Sequence, residues 1–491
     1  MKRPLPRSPH RPLLRTLCAC AVTALLAACV SAPPATPPTQ DVASQWTAPL
    51  PHGGQGAGLS AWWRQFDDPL LAELIDAAQA ANPSLAQAAA RIRQSRAQAR
   101  AAGAAQWPSL DARAGITRSS TQLPPDPGAH TTGSASLDAL WELDLFGVAR
   151  QTAAAARARA EGSEAAWHDA RVSLAAEVAN AYVGLRACEA TVAVFEQDTQ
   201  SLKNAAGLTQ QKVDAGFEAP ANGALASASA AEAASRLVAQ QADCEVLVKQ
   251  LVALTVLPEP ALRERLAAGR SRLPVPAQFA VEAVPARLLS QRPDLAAADR
   301  ELAAAAAEVG AAQADRYPRL SLSGSIGRSA VRIGGDNIDG RTWSIAPSLV
   351  LPLFDAGRRS ANVEAARARY DESVAAWRER ALSAVREVEE ALVRLQAAER
   401  REDDAASAAR GYGEFLRAAQ TQYRVGTGSL LDLEQARRQS LAADATLIEV
   451  RRQRVAAWLA LYKAVGGGWQ RSDSEAAPAT VSAVAETPAT R

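Results

Sequence analysis

Two pairs of residues in this chain have the types and spacing to do chemistry. Asp432 and Glu434 follow "YRVGTGS", where Gly426 and Gly428 interrupt a long helical pattern and Ser429 restarts it. A serine with an acid three positions on is a capping box, and negative charge suits a helix N-terminus. Carboxylates at a turn can also line an opening and attract cations, and the two roles are compatible. Cys188 and Cys244 each lie 28 residues from Gly216, on opposite arms of a second helical pattern. Antiparallel arms would set them level and facing, so a disulfide and a pair of buried thiols both fit.

Other chemistry finds little support. His10, His52, His130 and His168 are scattered, and no metal-ligand spacing joins them to cysteines. No phosphate loop, nucleophile elbow or zinc-hydrolase motif occurs, so neither an enzyme nor a bound cofactor or metal is expected. Residues 1–28 read as a leader: Lys2, Arg3, Arg7, Arg11 and Arg15 precede the apolar run "TLCACAVTALLAA". The leader ends in "LAAC", which resembles the lipobox of bacterial lipoproteins and marks Cys29 for lipid attachment. Removing five basic and no acidic residues takes the formal charge from +2 to −3, which gives no support to nucleic-acid binding. No later run of 18 apolar residues occurs, so a membrane would have to be crossed by strands in a closed barrel.

The elements that must position these residues come twice. Pro83, Leu85, Pro108, Leu110, Arg118 and Ser119 match Pro293, Leu295, Pro318, Leu320, Arg328 and Ser329. Trp167, Glu177, Val178, Leu185 and Gly216 match Trp377, Glu387, Val388, Leu395 and Gly426, always 210 positions on. Residues 70–256 and 282–466 are therefore read as two repeats, with 29–69 an N-terminal linker. Residues 257–281 join the repeats, and 467–491 form a disordered tail.

Each repeat opens with a helix, over 70–105 or 282–315. "WPSLDARAGITRS" and "YPRLSLSGSIGRS" then alternate apolar and polar residues over about ten positions, the period of a strand. A polar loop, "QLPPDPGAHTTG" or "VRIGGDNIDG", leads to a second strand, "SASLDALWEL" or "WSIAPSLVLPL". The lengths suit outer-membrane barrel strands, although a soluble hairpin would alternate likewise. A very long helix follows, over 148–212 or 358–422, on the order of 100 Å at 1.5 Å per residue. Its first copy carries Trp167, Leu174, Val178, Ala181, Leu185, Cys188, Val192 and Phe195 at coiled-coil spacing. The chain turns at Gly216 or Gly426 and returns over 220–256 or 430–465.

Four such strands cannot close a barrel, since closed bacterial barrels begin at about eight. Open edges are not viable in lipid, so several copies must share one barrel, and a cyclic trimer would supply roughly twelve strands. The expected fold is mainly α with a membrane β-barrel: four strands and long helical hairpins per chain, the trimer forming a barrel continued by a helical tunnel.

Several stretches resemble the TolC-like outer-membrane factors, specifically the NodT-type lipoproteins of RND efflux systems. They are "WWRQFDDPLLAELI", "ANPSLAQAAARIRQSRA", "WELDLFG", "PLFDAGR" and "LYKAVGGGW", with the longer "RLLSQRPDLAAADRELAAAAAEVGAAQADRYPRLSLSG". The resemblance implies a lipid-anchored homotrimer in the outer membrane of a Gram-negative bacterium, reaching into the periplasm. It implies passive export of small molecules, with a periplasmic adaptor and an inner-membrane RND pump as partners. It places a periplasmic gate at Leu431, Asp432, Glu434 and Gln435, with Tyr423 and Arg424 before the turn. The family often has aspartate where this chain has Gln435. A type I secretion duct and a non-channel coiled-coil lipoprotein are the competing readings.

By the repeat, Asn222 stands where Asp432 does, so the first tip is expected to lack the paired carboxylates. Asp214, matching Arg424, is a possible partner for a base near the aperture.

Overall fold

The computed structural model describes residues 68–120, 129–274, 291–333 and 335–469, together with Thr47, Trp63 and Phe66. The leader, Cys29 and the tail beyond residue 469 lie outside the described residues. The chain divides into two units, one of residues 91–163 with 298–377, the other holding most of the remaining helices.

The first unit contains an antiparallel four-stranded sheet of β1 (Ser109–Ser119), β2 (His130–Leu143), β3 (Arg319–Ile333) and β4 (Asp336–Val350), in that spatial order. The two repeats thus meet at β2 and β3. Register sorts the side chains. Ile116, Ala114, Ala112 and Leu110 oppose Gly133, Ala135, Leu137 and Ala139. Leu137, Ala139, Trp141 and Leu143 in turn oppose Ile326, Gly324, Leu322 and Leu320, which oppose Trp343, Ile345, Pro347 and Leu349. Because side chains alternate along a strand, these residues form one continuous apolar face. The intervening positions carry Asp111, Arg113, Ser134, Ser136, Asp138, Ser321, Ser323, Ser325, Thr342 and Ser344 on a polar face. There Arg113 pairs with Asp138 at 3.3 Å and the Ser325 and Ser344 hydroxyls lie 2.8 Å apart. β1 and β4 are the outer strands of the sheet.

The strands run further than the sequence suggests. "VRIGGDNIDG" is not a loop: β3 continues to Ile333 and β4 begins at Asp336, a tight turn in which Gly335 adopts φ +105°.

Helical parts of the same unit pack on alanine. Ala155 and Ala158 of α3 (Val148–Asp214) meet Ala304 and Ala307 of α6 (Pro293–Ala314), and small side chains allow such close approach. Arg159 flanks the seam, reaching Glu301 at 3.2 Å and Glu308 at 2.7 Å.

In the second unit the opening helix is two helices, α1 (Pro69–Ala81) and α2, which begins at Pro83 and ends at Ala104 in the first unit. Pro83 disfavours helical backbone at the residue before it, and Asn82 adopts φ −65°, ψ 128°. Asp68 caps α1, accepting from the Leu70 and Leu71 amides at 3.0 and 3.3 Å. The segment expected as an inter-repeat linker contains a helix, α5 (Glu259–Ala267), too short for its period to show in the sequence.

The remaining helices are α4 (Pro220–Thr255), α7 (Arg358–Arg424) and α8 (Leu430–Ala464). Leu174, Val178, Ala181, Leu185, Cys188 and Val192 of the expected seam are buried, and Trp167 is partly so. The duplication retains one hydrogen bond while changing its donor. Asn82 donates to the Leu254 carbonyl at 2.8 Å, and Arg292, its counterpart, donates to the Ala464 carbonyl at 2.7 Å. In both repeats the bond ties the start of a repeat to the end of its returning helix.

Arg186 is fully buried. It donates to the Leu266 and Ala268 carbonyls at 2.9 and 2.7 Å, pairs with Glu189 at 2.9 Å, and donates through Nε to the Tyr182 hydroxyl at 3.1 Å. Tyr182 donates onward to Asp68 at 2.6 Å, and burial raises its phenol pKa. One guanidinium thereby joins α3 to α5 and, through Tyr182, to the cap of α1.

Candidate functional site

The two hairpin turns share a backbone motif. Gly216 and Gly426 adopt φ +77° and +80°. The amides three places past the helix ends, Phe217 and Thr427, bond back to the Lys212 and Gln422 carbonyls at 2.8 and 2.9 Å. This is a Schellman closure, in which the left-handed residue is ordinarily glycine. Gly428 is required for a different reason: a Cβ there would meet Gln422 Cβ at 3.0 Å and the Tyr423 amide at 3.3 Å.

Past the second turn, Ser429 and Asp432 form a full capping box: the Asp432 amide donates to Ser429 Oγ at 3.1 Å, and Ser429 N–H and Oγ–H reach the Asp432 carboxylate. Leu431 is 61% exposed, and Asp432 and Gln435 are also exposed. Arg424 is exposed too, while Tyr423 is half-buried beneath the Lys212 ammonium, 5.1 Å from its ring centroid.

Glu434 does not share this outward surface. It is 3% exposed and pairs with Arg437 at 3.0 Å, while Arg437 also donates to Ser201 of α3 at 3.1 Å. Asp198 lies close by and pairs with Arg236 of α4 at 3.5 Å. Burial raises the pKa of both Glu434 and Asp198, with the arginines opposing the shift. The two acids expected to act together thus divide: Asp432 caps and faces outward, Glu434 holds the hairpins together. Leu430, Leu433 and Ala436 of α8 close this contact against Ala419 of α7 and Ala226 of α4.

The first tip has Asn222 in place of Asp432, with no carboxylate at that position. Its acid is Glu218, one position before the cap, which accepts from the Asn222 side-chain Nδ2 at 2.6 Å and from the Ala219 backbone N–H at 3.3 Å. The Asn222 hydrogen bond is the main cause of its lowered pKa. Both tips are therefore acidic, by different residues. Asp214 meets Gln210 at 2.9 Å rather than a base. Sequence spacing exposes the Glu434–Arg437 pair as an i, i+3 couple, but Asp198 joins it only through folding.

Cys188 and Cys244 are joined as a disulfide, their Cα atoms 5.6 Å apart. Their counterparts 210 positions on are Ala398 and Arg454, so this link belongs to the first repeat alone. Among the described residues no group of three or more His, Cys, Asp or Glu side chains could hold a metal ion, and no helix is long and apolar enough to cross a membrane.

This arrangement of open sheet and paired helical hairpins has counterparts among known proteins. Residues 74–255 and 284–467 match the family model described as outer membrane efflux protein. Outer membrane protein OprJ of Pseudomonas aeruginosa is 32% identical, over 91% of this chain and 95% of that protein. Nodulation protein T of Rhizobium leguminosarum bv. viciae is 28% identical over 96% of each. The solved outer-membrane channel OprN superposes with a TM-score of 0.78 at 30% identity, covering 89% of this chain and all of that one. Both repeats fall within the family match and the fold agrees along nearly the whole described chain, so the chain belongs to the outer membrane efflux protein family.

Proposed function

We propose that this chain is the outer-membrane duct of a tripartite RND-type efflux system, assembled as a homotrimer that passes small toxic molecules outward without an energy source of its own. The observation that carries this reading is the four-stranded sheet, apolar on one face, polar on the other and open at β1 and β4. Lipid tolerates no open edge, so neighbouring copies must supply the missing strands. Three chains give about twelve, with the serine-rich face toward a water-filled lumen. The apolar residues left exposed on the helices, Leu208, Val238, Leu382, Val393 and Phe415 among them, suit contact between copies. Cys29 is the proposed lipid attachment, and an adaptor and an inner-membrane pump are the proposed partners.

The test is assembly and conductance. Purified protein should run as a heat-modifiable trimer and form ion-conducting pores in planar bilayers. A monomer that conducts no ions overturns the reading.

The gate is proposed at the second tip, with Leu431, Asp432 and Gln435 facing the opening and the Glu434–Arg437 pair holding the tip shut. Tyr423 and Arg424 complete it before the turn. Removing both acids takes away the cap and leaves Arg437 buried without its partner. Asp432→Ala combined with Glu434→Ala is expected to raise single-channel conductance. Unchanged conductance with unchanged cation selectivity sinks the assignment.

The Cys188–Cys244 link is proposed to form after export into an oxidising compartment. For a separation of 56 residues, the chain-entropy model gives a stabilisation of about 4 kcal/mol. Thiol titration of denatured, unreduced mature protein should find neither cysteine reactive. Two free sulfhydryls per chain refute the pairing.

A further inference from the structure

The helical unit holds a cavity of about 240 Å³, partly open to solvent, that the duct reading leaves unexplained. Its walls come from segments far apart in sequence: Trp63, Gln79 of α1, His168 and Arg171 of α3, Tyr462 of α8, and Trp469 beyond it. Trp63 and Tyr462 meet edge to face at 6.1 Å, and His168 and Trp469 lie 6.1 Å apart, so much of the lining is aromatic.

The polar groups in this lining are unbalanced. Arg171 Nε donates to Gln79 Oε1 at 3.0 Å. A guanidinium only donates, so the carboxamide oxygen faces it and Gln79 Nε2 is directed elsewhere. Among the described residues, neither that Nε2 nor the buried indole Nε1 of Trp63 has a hydrogen-bond partner. The Tyr462 hydroxyl is engaged, donating to the Gly467 carbonyl at 2.8 Å. Among the described residues, no carboxylate lines the cavity. Burial lowers the pKa of His168 and the Arg171 charge lowers it further, against an opposing pull from Glu164. What remains is two buried N–H donors beside a cation. Left dry, each donor carries its full desolvation cost.

The site is also built at close quarters. Gly466, Gly467 and Gly468 adopt φ +91°, +62° and +77°, conformations that side chains rarely take. A Cβ on Gly467 would lie 2.5 Å from Val172 and 3.0 Å from the Tyr462 hydroxyl. One on Gly466 would fall 2.3 Å from the Gln291 carbonyl. The "GGGW" run therefore brings bare backbone against α3 and sets Trp469 as a wall.

We propose that this cavity binds a small aromatic carboxylate, its oxygens taken by Arg171 and the Trp63 and Gln79 N–H groups, its ring lying against the aromatic walls. The volume equals that of on the order of eight waters, or one aromatic acid of about ten non-hydrogen atoms. The proposal concerns the helical unit alone and does not depend on the duct.

Benzoate is the probe, with benzyl alcohol as its neutral isostere, titrated calorimetrically against the purified full-length protein. Benzoate should bind saturably, and benzyl alcohol at least tenfold more weakly. Arg171→Met and Gln79→Leu should each weaken benzoate at least tenfold. Gln79→Glu keeps the side-chain size and the partner for Arg171, retains the fold, and should abolish binding by setting a carboxylate in the site. Absence of saturable benzoate binding, equal affinity for the alcohol, or undiminished binding by Gln79→Glu overturns the proposal. A benzoate-soaked crystal whose cavity holds ordered water alone overturns it too.

Discussion

Ile345→Arg is expected to abolish the heat-stable trimer, while Ser344→Arg, one residue away, leaves it intact. Ile345 is 70% exposed on the apolar face, opposite Gly324 and two residues from Trp343. Arginine on the lipid side of a barrel near mid-depth costs about 2–4 kcal/mol. In the proposed trimer that cost recurs in every chain. Ser344 lies on the polar face beside Ser325, where an added cation meets water and should instead shift the pore toward anions. Heat-modifiability on gels and bilayer selectivity measure the two effects. The opposite pattern, with Ser344→Arg blocking assembly, would assign the faces the other way round.

Arg186→Met should lower stability by about 3–5 kcal/mol, the cost of breaking a buried charged network from one side. The methionine fills much of the volume but leaves Glu189 and the Leu266 and Ala268 carbonyls without their donor. Tyr182→Phe should cost less, since it removes only the Asp68 bond and the acceptor for Arg186 Nε. Thermal unfolding followed by helical circular dichroism separates the two variants. If Arg186→Met loses no more than Tyr182→Phe, the guanidinium is not what joins α3 to α5.

Much of this architecture is written in local patterns. The offset of 210 needs only a few proline, tryptophan and glycine matches. The seam through Leu174, Val178, Ala181 and Leu185 follows from helical spacing, and those residues are buried. Features that depend on distant partners are not legible. Nothing near Glu434 says that Ser201 and Asp198 will stand across from its partner Arg437, so an acid that reads as surface lies in a packed contact. The stretch from Val331 to Gly340 carries loop composition, yet β3 continues to Ile333 and β4 begins at Asp336. The break at Asn82 was available in the sequence, since Pro83 follows it, but helical periodicity on either side conceals it. The aromatic cavity assembles residues 63, 79, 168, 171, 462 and 469, a set that no short motif encodes.

The open edges of β1 and β4 have a genetic consequence. A strand that must be completed by another chain makes every copy answerable for its neighbours. In the proposed trimer, a defective copy that still pairs through one edge would capture intact chains rather than simply add nothing. With equal amounts of both, random assembly leaves about one trimer in eight wholly intact. Variants that spare the pairing edges but spoil the pore should therefore behave as dominant negatives, whereas variants that destroy an edge should be recessive.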